Sequence, residues 1–109
     1  MASGKAYLAY IMDQLSGLDG VSYRPMMGEY IIYYQGKVIG GIYDDRFLVK
    51  PTASALRLMS DAVREIPYPG AKEMLLVSDP DNRKLLAQLM LAVYRDLPDP
   101  KKRKQRPEI

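Results

Sequence analysis

Three carboxylates and one lysine lie close enough in this sequence to suggest a reaction centre: Glu29, the pair Asp44-Asp45, and Lys50. Carboxylates so grouped can hold Mg²⁺ or exchange protons with a substrate. Two absences narrow the chemistry. The chain has no histidine and no cysteine, so zinc sites, Ser-His-Asp triads and Cys-His dyads are excluded together. Adjacent aspartates between two apolar runs are also what a tight turn uses. With no further acidic cluster nearby, the turn is the stronger reading. The residue types therefore point away from an enzyme and imply no cofactor and no metal.

The remaining candidates are recognition residues. Arg24, Met26, Met27 and Gly28 sit together in "YRPMMGEY". They are read either as a contact edge or as methionines filling gaps beside a helix, with Gly28 making a bend. Lys50 ends an apolar run and suits an anion, an ion pair with Glu29 or Asp44, or a plain sheet edge. Tyr23, Tyr30, Tyr33, Tyr34 and Tyr43 crowd one short region, and tyrosine suits surfaces with one end buried and one end wet. Lys101, Lys102, Arg103, Lys104 and Arg106 form a basic tail. It is read as a solvated end that can make weak, nonspecific contact with nucleic-acid phosphates. It has no interleaved aromatic to stack on bases.

The elements that must position these residues follow from spacing. Tyr7, Leu8, Ile11, Leu15 and Leu18 make one apolar stripe, which predicts a helix over 4–16 with Ser3 as N-cap. Strands are expected at 21–26, 29–34, 37–43 and 46–50. The first is an edge strand because Pro25 lacks an amide hydrogen, and Gln35-Gly36 and Asp44-Asp45 serve as turns. Connections this short require an antiparallel meander. Thr52 starts a short helix bearing Ala55, Leu56 and Met59. The stretch "SDAVREIPYPG" reads either as a continuation of that helix or as a covering loop. "AKEMLLVSD" returns to strand character. A last helix is expected after Asp79 as N-cap and Pro80 as first helical residue, burying Leu85, Leu86, Leu89, Met90, Val93, Tyr94 and Leu97. The order is α-β-β-β-β-α-β-α. It predicts an α+β, two-layer sandwich of helices on an antiparallel sheet.

The strands carry apolar residues on both faces. In β-strands alternate residues share a face, so Tyr30, Ile32 and Tyr34 oppose Ile31 and Tyr33, and Val38 and Ile42 oppose Ile39 and Tyr43. Helices cover one face. The other needs a second cover, either a homodimer partner or the short helix with the "REIPYPG" loop. The homodimer is the preferred reading.

Composition fits one soluble domain: 109 residues, 48% hydrophobic and 27% charged. Of the sixteen basic and thirteen acidic residues, five and two lie in 99–109, leaving eleven of each sign in 1–98. The net charge of +3 thus belongs to the tail, and the expected division is a domain at 1–98 and a basic tail at 99–109. No apolar run is long enough to span a membrane. The lack of cysteine fits a cytoplasmic setting.

The segment "YRPMMGEYIIYYQGKVIGGIYDDRFLVKP" followed by "PYPGAKEMLLV" resembles the N-terminal domain of the TfoX/Sxy family of bacterial competence regulators. Arg24-x-Met26-x-Gly28, the tyrosine-rich strand after it, Gly36 and Lys50 carry the resemblance. Met27 stands where the family usually has phenylalanine. The resemblance implies a secretion-chaperone-like antiparallel fold and a bacterial, cytoplasmic protein. It also implies a regulatory role; full-length family members add a helical C-terminal domain where this chain has a short basic tail. The resulting expectation is a non-enzymatic regulatory or protein-interaction module, acting as a homodimer with an unknown protein partner. The alternatives are a nucleic-acid-associated transcriptional regulator using the tail, or a small-ligand-binding domain.

Overall fold

Three two-residue turns set the architecture. Met27-Gly28 (φ 51° and 85°), Gln35-Gly36 (52° and 84°) and Asp44-Asp45 (53° and 56°) all have both central residues in the left-handed region. This is the turn geometry whose twist matches that of the strands it joins. In the third turn Tyr43 and Arg46 exchange both backbone hydrogen bonds, at 2.9 and 3.0 Å. The turns connect β1 (Val21–Met26), β2 (Glu29–Tyr34), β3 (Lys37–Ile42) and β4 (Phe47–Val49). The structure is a computed structural model that describes residues 4–98.

Two further strands, β5 (Arg64–Glu65) and β6 (Met74–Leu76), complete a six-stranded antiparallel sheet in the order β1-β2-β3-β4-β6-β5. The expected α+β order holds, with β5 added inside the stretch whose character was open. β1 lies at the sheet edge, where Pro25 costs no ladder bond. Strands β3 and β4 are each about one residue shorter at their turn than the pattern predicts, because Tyr43 and Arg46 close that turn.

A register shift between Ile32 and Tyr33 corrects the predicted faces of β3. Ile32 pairs with Gly40 but Tyr33 pairs with Val38, so Ile39 is an extra residue. Such a bulge turns two successive residues toward one side. Ile39 and Ile42 therefore both enter the core beneath the helices, while Val38 falls on the opposite face with Tyr33. Strict alternation had set Ile39 against Ile42.

Helix α1 (Lys5–Gln14), α2 (Ala53–Leu58) and α3 (Arg83–Asp96) all pack on one face of the sheet. α1 is shorter than predicted: its N-cap is Gly4, which has no side chain to cap with, and Ser3 lies outside the described residues. Leu8, Ile11 and Leu15 are buried as the stripe requires, with Tyr7 and Leu18 packed against them. α2 begins at Thr52, whose side chain accepts from the Ala55 backbone N–H.

The predicted cap of α3 is displaced by three residues. Asn82, not Asp79, is the N-cap and accepts from Leu85 N at 3.0 Å. The residues before it are engaged elsewhere. Tyr10 donates to Asp81, and Gln14 donates to the Pro80 carbonyl at 2.9 Å. Asp13 also meets Arg83 at 3.0 Å. Residues 79–82 thus form a turn docked on α1. The face Leu86, Leu89, Met90 and Val93 closes the core.

Candidate functional site

The face of the sheet turned away from the helices holds most of the candidate residues and the larger cleft. The pairing register places Arg24, Ile31, Gly41, Leu48 and Leu76 in one row across it. By alternation this row is opposite to Phe47, Val49 and Leu75, which belong to the core. The chain covers part of this outer face itself. A side chain at Gly41 would meet the Tyr43 ring at 2.7 Å, so glycine leaves room for that ring to lie back over β3. Leu48 beneath is fully buried and Tyr43 is 7% exposed. Tyr68, from the loop between β5 and β6, packs on Tyr43 with ring centroids 6.0 Å apart. Burial first, then Tyr68 and Glu29 nearby, raise the Tyr43 phenol above its ordinary value.

The loop bearing Tyr68 and the sheet enclose a cleft of about 370 Å³. Its walls are Val38, Tyr43, Pro67, Tyr68, Met74 and Leu97, and Lys50, Lys72 and Glu73 supply charge. Lys37 holds the far rim by donating to the Tyr94 and Leu97 carbonyls at 3.0 and 2.9 Å, with its ammonium 4.0 Å from the centre of the Tyr94 ring. Arg46 braces the near rim through Glu65 and the Tyr43 carbonyl. A second depression of about 230 Å³, beside Leu58, Asp61 and Asp79, has no cation among its described lining residues.

The predicted site residues divide between the two faces. Tyr34 is buried in the core against Tyr94, and Tyr30 packs beside the core with Tyr23 edge-on at 5.8 Å. Arg24, Met26 and Tyr33 lie on the outer face of β1 and β2, with Ile31 and Val38 around them. Met27 is not a gap filler. It occupies the turn tip and is 96% exposed, while Gly28 makes the bend. Lys50 lines the cleft, at the opposite end of the strands from Glu29 and Asp44. The carboxylates serve the fold: Glu29 accepts from Asp44 N at 3.1 Å, and Asp45 accepts from Gly4 N at 2.8 Å. Among the described residues no group of three or more acidic side chains is gathered as metal ligands would be. The basic residues 101–106 lie outside the described residues. Sequence reasoning missed Val38, Tyr68, Met74 and Leu97 as neighbours. The proline-flanked tyrosine of "PYPG" was the available signal.

A family model, described as the TfoX N-terminal domain, matches residues 13–94. The chain belongs to the TfoX N-terminal domain family. The matched span of this TfoX domain runs from the end of α1 nearly to the end of α3, so it includes the whole sheet and the cleft walls other than Leu97. The TfoX domain is also similar to an uncharacterised 12.7 kDa protein in the trpE 5′ region of Spirochaeta aurantia. The two are 33% identical over 105 residues, which covers 95% of this chain and 91% of the relative. That relative is itself a short protein, and the similarity spans nearly all of it. No solved structure matches. No helix among the described residues is long and apolar enough to cross a membrane.

Proposed function

We propose that this TfoX N-terminal domain is a non-enzymatic, cytoplasmic regulatory module that works by docking, and that it self-associates through the β1–β3 part of the outer face. One observation carries this reading. The chain covers the β3–β4–β6 part of that face with Tyr43 and Tyr68, but among the described residues no such loop lies over the part bearing Met26, Ile31 and Tyr33. A second copy is the natural occupant because the patch is self-complementary in kind. Its centre is apolar and aromatic, as interface cores are, and it carries both a cation, Arg24, and a carboxylate, Glu29. A two-fold interface repeats each contact, i with j and j with i, so a patch bearing both signs can pair them twice. The family membership supports regulation, and the absence of histidine and cysteine in the sequence weighs against acyl-transfer and zinc chemistry.

The test is molar mass by light scattering at tens of micromolar. The expected result is a dimer for the intact chain and a monomer for Tyr33→Glu. A strict monomer for the intact chain overturns the self-association.

A further inference from the structure

We propose that the cleft between the outer face and the 67–74 loop binds a small, uncharged aromatic molecule. The proposal does not depend on self-association. The cleft's volume of about 370 Å³ lies at the lower end of the range of small-molecule sites, roughly 300–1,000 Å³. That suits one ring or a fused pair. Its lining is mostly apolar: Val38, Pro67, Met74 and Leu97 stand around the Tyr43 and Tyr68 rings. Tyr43 is fixed from beneath, because its ring fills the space that a side chain at Gly41 would need. Tyr68, 49% exposed, stands tilted against it at 6.0 Å. An aromatic ring beside Tyr68 and Met74 gains edge-to-face and sulfur contacts that a saturated ring of the same size lacks.

The polar groups around the cleft explain why the ligand is uncharged. Thr52 is committed twice: its hydroxyl accepts from Ala55 N and bonds the Asp96 carboxylate. The Tyr68 carbonyl accepts from Ala71 N at 3.1 Å, and the Leu97 carbonyl accepts from Lys37 at 2.9 Å. Lys50 already has an interaction partner of its own. Lys72 and Glu73 are chain neighbours on the exposed loop, and their opposite charges favour neither sign of ligand. An ion entering the cleft gives up water for apolar walls, with no charge held ready to replace it. An uncharged aromatic molecule avoids that cost and gains from burying its apolar surface.

The test uses matched probes: 2-phenylethanol, 2-cyclohexylethanol, phenylacetate and 2-phenylethylamine, titrated at neutral pH into the full chain with labelled methionine, leucine and valine methyls. The expected result is saturable shifts of Val38, Met74 and Leu97 with 2-phenylethanol. Binding is expected to be about tenfold weaker for each of the two ions and severalfold weaker for the saturated ring. Ala71→Trp, which puts a large side chain into the cleft, removes the shifts and keeps the intact chain's thermal midpoint. Tyr68→Ala narrows the difference between the phenyl and cyclohexyl alcohols. If Ala71→Trp loses its fold, Tyr68→Ala alone decides. An ion that binds as well as 2-phenylethanol, equal binding of the two alcohols, shifts confined to other methyls, or no saturable shift with any probe overturns the proposal. So does a Tyr68→Ala chain that keeps the full phenyl preference. Methyl shifts and molar mass are separate readouts, so failure here leaves the docking proposal standing, and the reverse.

Discussion

Gly40 shows how little freedom single positions have in this sheet. A β-carbon there would sit 2.0 Å from the Leu48 carbonyl oxygen and 2.8 Å from the Val49 Cα, both backbone atoms. Neither can swing aside as a side-chain tip would. Gly40→Ala is therefore expected to force β3 and β4 apart and to cost on the order of 1–3 kcal/mol, read as a lower urea midpoint. Tyr10 makes the opposite kind of contribution, a polar contact at the surface. Its hydroxyl donates to Asp81, and that bond first, then burial, pushes its phenol up to about 12. The group's protonated form is favoured in the folded state. Its contribution is therefore complete below the ordinary tyrosine value of 10.0 and is lost as pH rises toward about 12. In a spectrophotometric titration Tyr10 is expected among the last phenols to ionise, and Tyr10→Phe removes that late step. If Tyr10→Phe leaves the late step in place, the assignment fails.

At the scale of elements, α2 is too short to hold itself and depends on its neighbour. Asp96, near the end of α3, accepts from Ser54 N at 2.9 Å and from the Ser54 hydroxyl at 3.0 Å. The Ser54 backbone bond first, with the Thr52 hydroxyl next, holds the Asp96 carboxyl below its ordinary value of 3.8. A depressed folded-state value stabilises the fold above the unfolded value and is lost as pH falls through the folded one. Asp96→Asn is thus expected to lower the thermal midpoint at pH 7, with the difference full above the ordinary value of 3.8 and shrinking as pH falls below it. A constant difference across that range would assign the effect to packing instead. Neither this tie nor the docking of residues 79–82 on α1 was legible in the sequence. Both join side chains far apart in the chain, and Asp79-Pro80 satisfies every local rule for a helix start. The hairpins were legible because glycine or paired aspartates mark each turn locally. The bulge at Ile39 was not, since it adds one residue without any glycine or proline at the extra position. It alone decides that Val38 faces the cleft rather than the core. The tyrosines of β2 could be sorted by alternation; the cleft beside them could not, because it needs the return of "PYPG" over a sheet face that spacing does not place.

For the whole molecule, the two faces of β2 make opposite demands on adjacent tyrosines. Tyr34 is 6% exposed, with its ring 5.5 Å from that of Tyr94 inside the core. A carboxylate there loses the ring's packing and must be buried or protonated, so Tyr34→Glu is expected to cost on the order of 3–5 kcal/mol. Tyr33 points to the outer face, between Ser22 and Val38 in the register. Tyr33→Glu leaves the core untouched and is expected to shift monomer stability by less than about 1 kcal/mol. Self-association adds a second difference. A chain stabilised by its own dimer melts at a temperature that rises with protein concentration, by mass action. The intact chain is expected to show that dependence between micromolar and hundreds of micromolar, and Tyr33→Glu to lose it while keeping a cooperative transition. Tyr34→Glu should melt early at every concentration. If Tyr33→Glu and the intact chain melt together across the whole range, β1–β3 is not where two copies meet.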